Sequence, residues 1–143
     1  MNGKWQRGSA VLELVLLAPA LLAFILLCIA GGRIWLARQT IDAAAFDAAR
    51  TASIARSAQA ATSGARSTAM DSLTSRQMHC VHSSVSVATA GFYVPVGQPA
   101  TVQVTLTCQM NLSDIALPGL PSTMTMTSTA GSVLDQYRAR TDR

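Results

Sequence analysis

The sequence predicts an α+β protein: a single N-terminal transmembrane helix continuing into a long amphipathic, alanine-rich helix, packed on a small antiparallel β-meander. Three observations predict it. Residues 14–30 carry no charge, small or apolar residues recur every three or four positions from Ile34 to Leu73, and beyond Ser83 the pattern becomes an alternation of apolar and polar residues.

The apolar run comes first in the chain and sets its class. Counted from Ser9 to Gly32, a helix rising about 1.5 Å per residue covers roughly 36 Å, enough for a hydrocarbon layer of ~30 Å. The remainder is polar enough to live in water. With 143 residues in all, the chain has room for one modest domain besides this segment. Half of the residues are hydrophobic but only 5% are aromatic, which is too apolar for disorder and poor in the large side chains that dominate enzyme cores.

After the span, Ile34, Ala37, Ile41, Ala44, Ala45, Ala48, Ala52, Ala55, Ala58, Ala61, Ala65, Ala69 and Leu73 form a helix stripe. No proline interrupts Thr40 to Met78, so one long helix is expected there, loosened around Gly31-Gly32 and Gly64. An alanine stripe buries little area per residue but lets backbones approach closely, against other helices or against the chain's own sheet. Strand periodicity follows at Val85 and Val87, at Val102, Val104, Leu106 and Cys108, and at Met124, Met126 and Ser128. The stretch Gly91 to Pro99 is expected to loop between the first two strands, and Leu117-Pro118-Gly119-Leu120-Pro121 to precede the third. The expected organisation is a cytoplasmic leader at 1–8, a transmembrane helix at 9–32, an alanine-rich helical stalk at 33–78 and a β-rich head at 79–143.

The formal charge of +4 comes mostly from arginines scattered singly, without interleaved aromatics. A nucleic-acid-binding stripe shows clustering, so no nucleic-acid partner is expected. Lys4 and Arg7 precede the span while Arg33 and Arg38, offset by Asp42 and Asp47, follow it. The bias is toward a cytoplasmic N-terminus and an extracytoplasmic head, and it is slight.

Residues for chemistry are sparse. His79-Cys80-Val81-His82 is the one cluster that looks like metal ligands, but a structural zinc site needs four and no second cluster lies at suitable spacing. Asp42, Asp47, Asp71, Asp114, Asp135 and Asp142 form no acid–base pattern with a histidine or serine. There is no nucleophile elbow and no glycine-rich phosphate loop. No catalytic residue, metal or cofactor is therefore expected. Of three cysteines, Cys28 falls in the span as a membrane-buried thiol. Cys80 and Cys108 can pair if the head lies outside the cytoplasm, and would stay reduced inside it; closing that loop would contribute about 3 to 4 kcal/mol.

Glu13 is the oddity. An acidic group at mid-bilayer costs about 2.5 to 3.5 kcal/mol, less near the edge. Arg7-Gly8, then Ser9, with Glu13 fifth after the glycine and an apolar helix following at once, resembles the processing site of type IV pilins. Gly8-Ser9-Ala10-Val11-Leu12-Glu13, Pro19, Gly32-Arg33 and Ala48-Ala49-Arg50-Thr51-Ala52-Ser53 are similar to the N-terminal half of the TadE-like minor pilins of the tight-adherence branch. The resemblance covers roughly residues 7 to 55. Gly31 departs from it, since many relatives carry an acidic or larger residue there.

The resemblance implies a bacterial membrane protein cut between Gly8 and Ser9 by a prepilin peptidase. The freed Ser9 amine would neutralise Glu13 of a neighbouring subunit, so that a lone charge in lipid becomes an intersubunit ion pair. The implied partners are the bacterial inner membrane, that peptidase, other pilin subunits, and the pilus assembly platform and ATPase, in a pilus serving adhesion or secretion. The bland reading of Glu13 is a carboxylate that snorkels to the headgroups. The competing reading of the whole chain is a soluble binding protein released by signal peptidase after Ala30, although secretory apolar regions run about 7 to 15 residues and this one is longer. Lipidation of Cys28 is disfavoured by Leu27, where a small residue is wanted.

Overall fold

The computed structural model describes residues 6–111 and 122–137, with side chains from Glu13 onward. The leader therefore falls largely, and the loop at 117–121 wholly, outside the described residues. Two helices, three strands and a short 3-10 helix follow one another as α1 (Gln6–Ser53), α2 (Ala58–Ser75), β1 (His82–Ala88), η1 (Ala90–Tyr93), β2 (Thr101–Asn111) and β3 (Thr123–Val133). The chain divides into two compact units, Met1–Leu36 and Ala37–Arg143.

The first unit is a length of α1. Helical assignment runs without a break through Pro19, Gly31 and Gly32, so the expected loosening at Gly31-Gly32 is not seen. Its large side chains are unburied: Leu14, Leu17, Phe24 and Leu27 are each more than 60% exposed.

In the second unit the helix does not run on to Met78 as the stripe suggested. It stops at Ser53, and α2 folds back against the end of α1. The Ser53 hydroxyl donates to the Arg50 carbonyl at 2.8 Å, a side-chain bond that competes with helix continuation. Ser57 then takes an extended backbone and accepts from the Ala60 N–H at 3.2 Å, capping the new helix. The hairpin is antiparallel: Thr68 bonds Thr51 at 3.1 Å, and Ser72 donates to Asp47 at 3.1 Å. Gly64, rather than loosening a helix, sits where α2 passes Thr51 closely, since a Cβ there would lie 3.3 Å from Thr51 Cγ2. The alanine stripe is thereby consumed inside the chain. Ala44, Ala45, Ala48, Ala49 and Ala52 of α1 and Ala61, Ala65 and Ala69 of α2 are all fully buried. α2 ends with Gln77 in the left-handed region (φ 56°) and the Met78 N–H bonded to the Leu73 carbonyl at 2.9 Å, a closure that satisfies the last carbonyls.

The sheet is an antiparallel meander in the order β1-β2-β3, with β1 packed against α2. Alternation decides its faces: Val102, Val104, Leu106 and Cys108 of the central strand are fully buried, joined by Val85 and Met126. Each such aliphatic side chain contributes about 1.5–3 kcal/mol. The opposite face is hydroxyl-rich, with Thr105 paired to Thr129 at 3.0 Å and Thr107 to Thr127 at 3.2 Å. Between β1 and β2, where only a loop was expected, η1 drives Phe92 into the core at 1% exposure. That close approach requires glycine at 91, because a Cβ there would run into the Thr101 carbonyl oxygen. Gly91→Ala is accordingly expected to destabilise the head by about 1–3 kcal/mol, read as a lowered thermal midpoint by circular dichroism; an unchanged midpoint would show that η1 yields freely.

Candidate functional site in the apolar N-terminal helix

One stretch among the described residues is long and apolar enough to cross a membrane, Glu13–Ile54, which takes in α1 from Glu13 to its end. Within the first unit, Glu13 and Arg33 bracket the uncharged run. Twenty residues apart on one helix, they are separated by about 30 Å along the axis, close to the thickness of a hydrocarbon layer. Glu13 directly precedes Leu14 and lies about one turn before Leu16 and Leu17. It is exposed, with no basic partner among the described residues.

Gly8 and Ser9 lie in the first turns of α1; their side chains are outside the described residues. Four residues separate Ser9 from Glu13, which is one helical turn or about 6 Å of rise. An amine at position 9 and a carboxylate at position 13 are thus offset by one turn along the axis. A neighbouring parallel helix shifted by that amount would bring one against the other.

Cys80 and Cys108 are joined as a disulfide, with their Cα atoms 5.4 Å apart. The join comes from the sheet register: β1 lies against β2 with Ser83 opposite Cys108, and Cys80 just before β1 reaches across. With Cys80 so engaged, the His79-Cys80-Val81-His82 cluster loses its thiolate ligand, and His79 and His82 are both exposed. Among the described residues no three His, Cys, Asp or Glu side chains are grouped for a metal ion. Cys28 is a free, exposed thiol of α1.

One polar grouping was not anticipated. Asp47 accepts from Ser72 and stands 4.0 Å from the Arg76 guanidinium, both charged side chains about half exposed. Only the hairpin brings positions 47, 72 and 76 together, and no local pattern in the sequence signals it. An exposed pair at this distance contributes little, ~0–1 kcal/mol, so the grouping registers the hairpin and is not a reaction centre.

A family model described as TadE-like protein matches residues 8–50. The matched stretch opens at Gly8, contains Ser9 and Glu13, and closes three residues before α1 ends; α2 and the sheet lie beyond it. No curated protein and no solved structure matches the chain.

Proposed function

From an N-terminal region that is TadE-like over residues 8–50, we propose that the chain is a membrane-anchored minor pilin or pseudopilin, cut between Gly8 and Ser9 by a prepilin peptidase and assembled into or at the base of a tight-adherence-type pilus. The observation that carries this reading is Glu13: a lone carboxylate at the margin of the uncharged apolar run of α1, one turn from the residue that processing would make the new terminus. The freed amine of one subunit meets the carboxylate of the next, and the pair sets the axial register because either charge alone would be left facing lipid. The anchor is single-pass with the N-terminus cytoplasmic. The head stands outside the cytoplasm, where the Cys80–Cys108 bond persists. The role is structural and not enzymatic, with other pilins, the assembly platform and its ATPase as partners.

Because the alanine stripe is buried within the second unit, contacts with neighbouring subunits fall to the apolar side chains that α1 leaves uncovered. Leu14 to Leu27 do this in the first unit, and Phe46, 60% exposed, does so in the second. Intact-mass measurement of the mature protein from cells with an active prepilin peptidase tests the reading. The expected product begins at Ser9. A product that keeps residues 1–8 would overturn processing, and one beginning at Gly31 would instead support release by signal peptidase.

A further inference from the structure

β3 is an edge strand of eleven residues, and natural edge strands are normally protected. A charge, a proline, a bulge or a covering element blocks pairing with another chain. β3 has none of these among the described residues. Its sequence, Thr-Met-Thr-Met-Thr-Ser-Thr-Ala-Gly-Ser-Val, is free of charge and proline. All eleven residues pair one-to-one with β2, so no bulge interrupts it.

The direction of its free backbone groups follows from the ladder. The Leu134 N–H donates to the Ala100 carbonyl at 2.9 Å, one step beyond the Thr101–Val133 pair. Bonded and non-bonded pairs alternate in an antiparallel ladder. Met124, Met126, Ser128, Ala130 and Ser132 therefore bond β2, whereas Thr123, Thr125, Thr127, Thr129, Gly131 and Val133 turn their N–H and C=O groups to the open side. The other edge is different: β1 has seven residues and lies beside α2, with Ser83 Oγ 3.5 Å from Met70 Sδ.

We propose that the free edge of β3 pairs antiparallel with β3 of a second copy of this chain, joining two three-stranded sheets into one of six strands. The edge is complementary to itself. A two-fold axis at Ser128 places Thr123 opposite Val133, Thr125 opposite Gly131 and Thr127 opposite Thr129, so every outward N–H and C=O finds a partner and no like charges meet. Six outward-facing residues on each copy give about twelve backbone hydrogen bonds. Odd-numbered residues meet odd-numbered residues, so the hydroxyl rows already formed by Thr105–Thr129 and Thr107–Thr127 extend across the junction on one face. A closed two-fold contact of this kind ends at a dimer. It stands independently of the pilin reading.

Sedimentation equilibrium of the full chain in detergent tests it, with two variants. Thr125→Pro removes an outward N–H and leaves the β2 ladder intact. Gly131→Lys adds a charge to the edge at a position where a new Cβ meets nothing closer than Gln103 Cγ at 3.8 Å. The wild type is expected to be dimeric, and each variant to raise the dissociation constant at least about ten-fold with an unchanged thermal midpoint. Should Thr125→Pro fail to fold, Gly131→Lys decides. A monomeric wild type, or a dimer that both variants leave intact because the apolar helix holds it, overturns the proposal.

Discussion

Glu13→Gln is expected to leave the protein in the membrane while lowering its amount in sheared pili by roughly ten-fold or more, a difference of about 1.4 kcal/mol in the assembly step. The two effects separate because they depend on different states of the side chain. Insertion is limited by the cost of bringing a charge near hydrocarbon, and the amide lowers that cost. On the proposed pairing, assembly gains from the charge, because the neighbour's amine offset by one helical turn would lose its partner. The uncharged run of α1 between Glu13 and Arg33 contains no alternative carboxylate. Immunoblots of membrane and pilus fractions, at native expression, measure both quantities. Wild-type recovery of the variant in pili would reduce Glu13 to a snorkelling surface charge.

Breaking the Cys80–Cys108 bond is expected to be the most damaging single change to the head. The bond closes a loop with a sequence separation of 28, for which chain entropy assigns about 3 to 4 kcal/mol. That is a large share of the 5–15 kcal/mol typical of whole domains, and this core has little with which to offset it. Among the described residues its largest fully buried side chains are Phe92, Ile41, Leu106, Val102, Val104 and Cys108 itself, and most of the other buried apolar residues are alanines. Cys80→Ala is the cleaner variant, because Cys80 is half-buried and its loss leaves no polar atom stranded, whereas Cys108→Ser places a hydroxyl in a fully buried site. A fall in midpoint of roughly 15–25 °C is expected for Cys80→Ala, matched by reductant acting on the wild type. If neither moves the midpoint, the alanine hairpin and sheet are sufficient by themselves.

The strands and the long apolar helix were legible because their signals are local. Val102, Val104, Leu106 and Cys108 alternate with polar residues over seven positions, and a two-residue period has one explanation for a half-buried surface. The apolar helix is legible for the same reason, as seventeen consecutive uncharged residues from Leu14 to Ala30 reach the length that can cross a membrane. The disulfide was readable only as a conditional, since pairing depends on which side of the membrane the head occupies. The helical hairpin was misread. Ala44, Ala48 and Ala52 continue in step with Ala61, Ala65 and Ala69 whether the helix runs straight or doubles back, because both arrangements bury the same stripe. What selects the fold-back is a serine cap at Ser57 and contacts between residues 17 to 25 positions apart, neither of which a periodicity registers.

By itself, then, the order of residues determined that one helix is fit for lipid, that it carries a single carboxylate at its margin, and that three alternating segments follow. Tertiary structure alone decided that the alanine face is spent within the chain, that glycine is needed at 91 within η1, and that β3 has an edge left uncovered by the described residues. The division has a physical origin. Desolvation and backbone period act over a few neighbouring residues and are written in composition, whereas helix reversal, strand order and edge exposure depend on which distant surfaces meet.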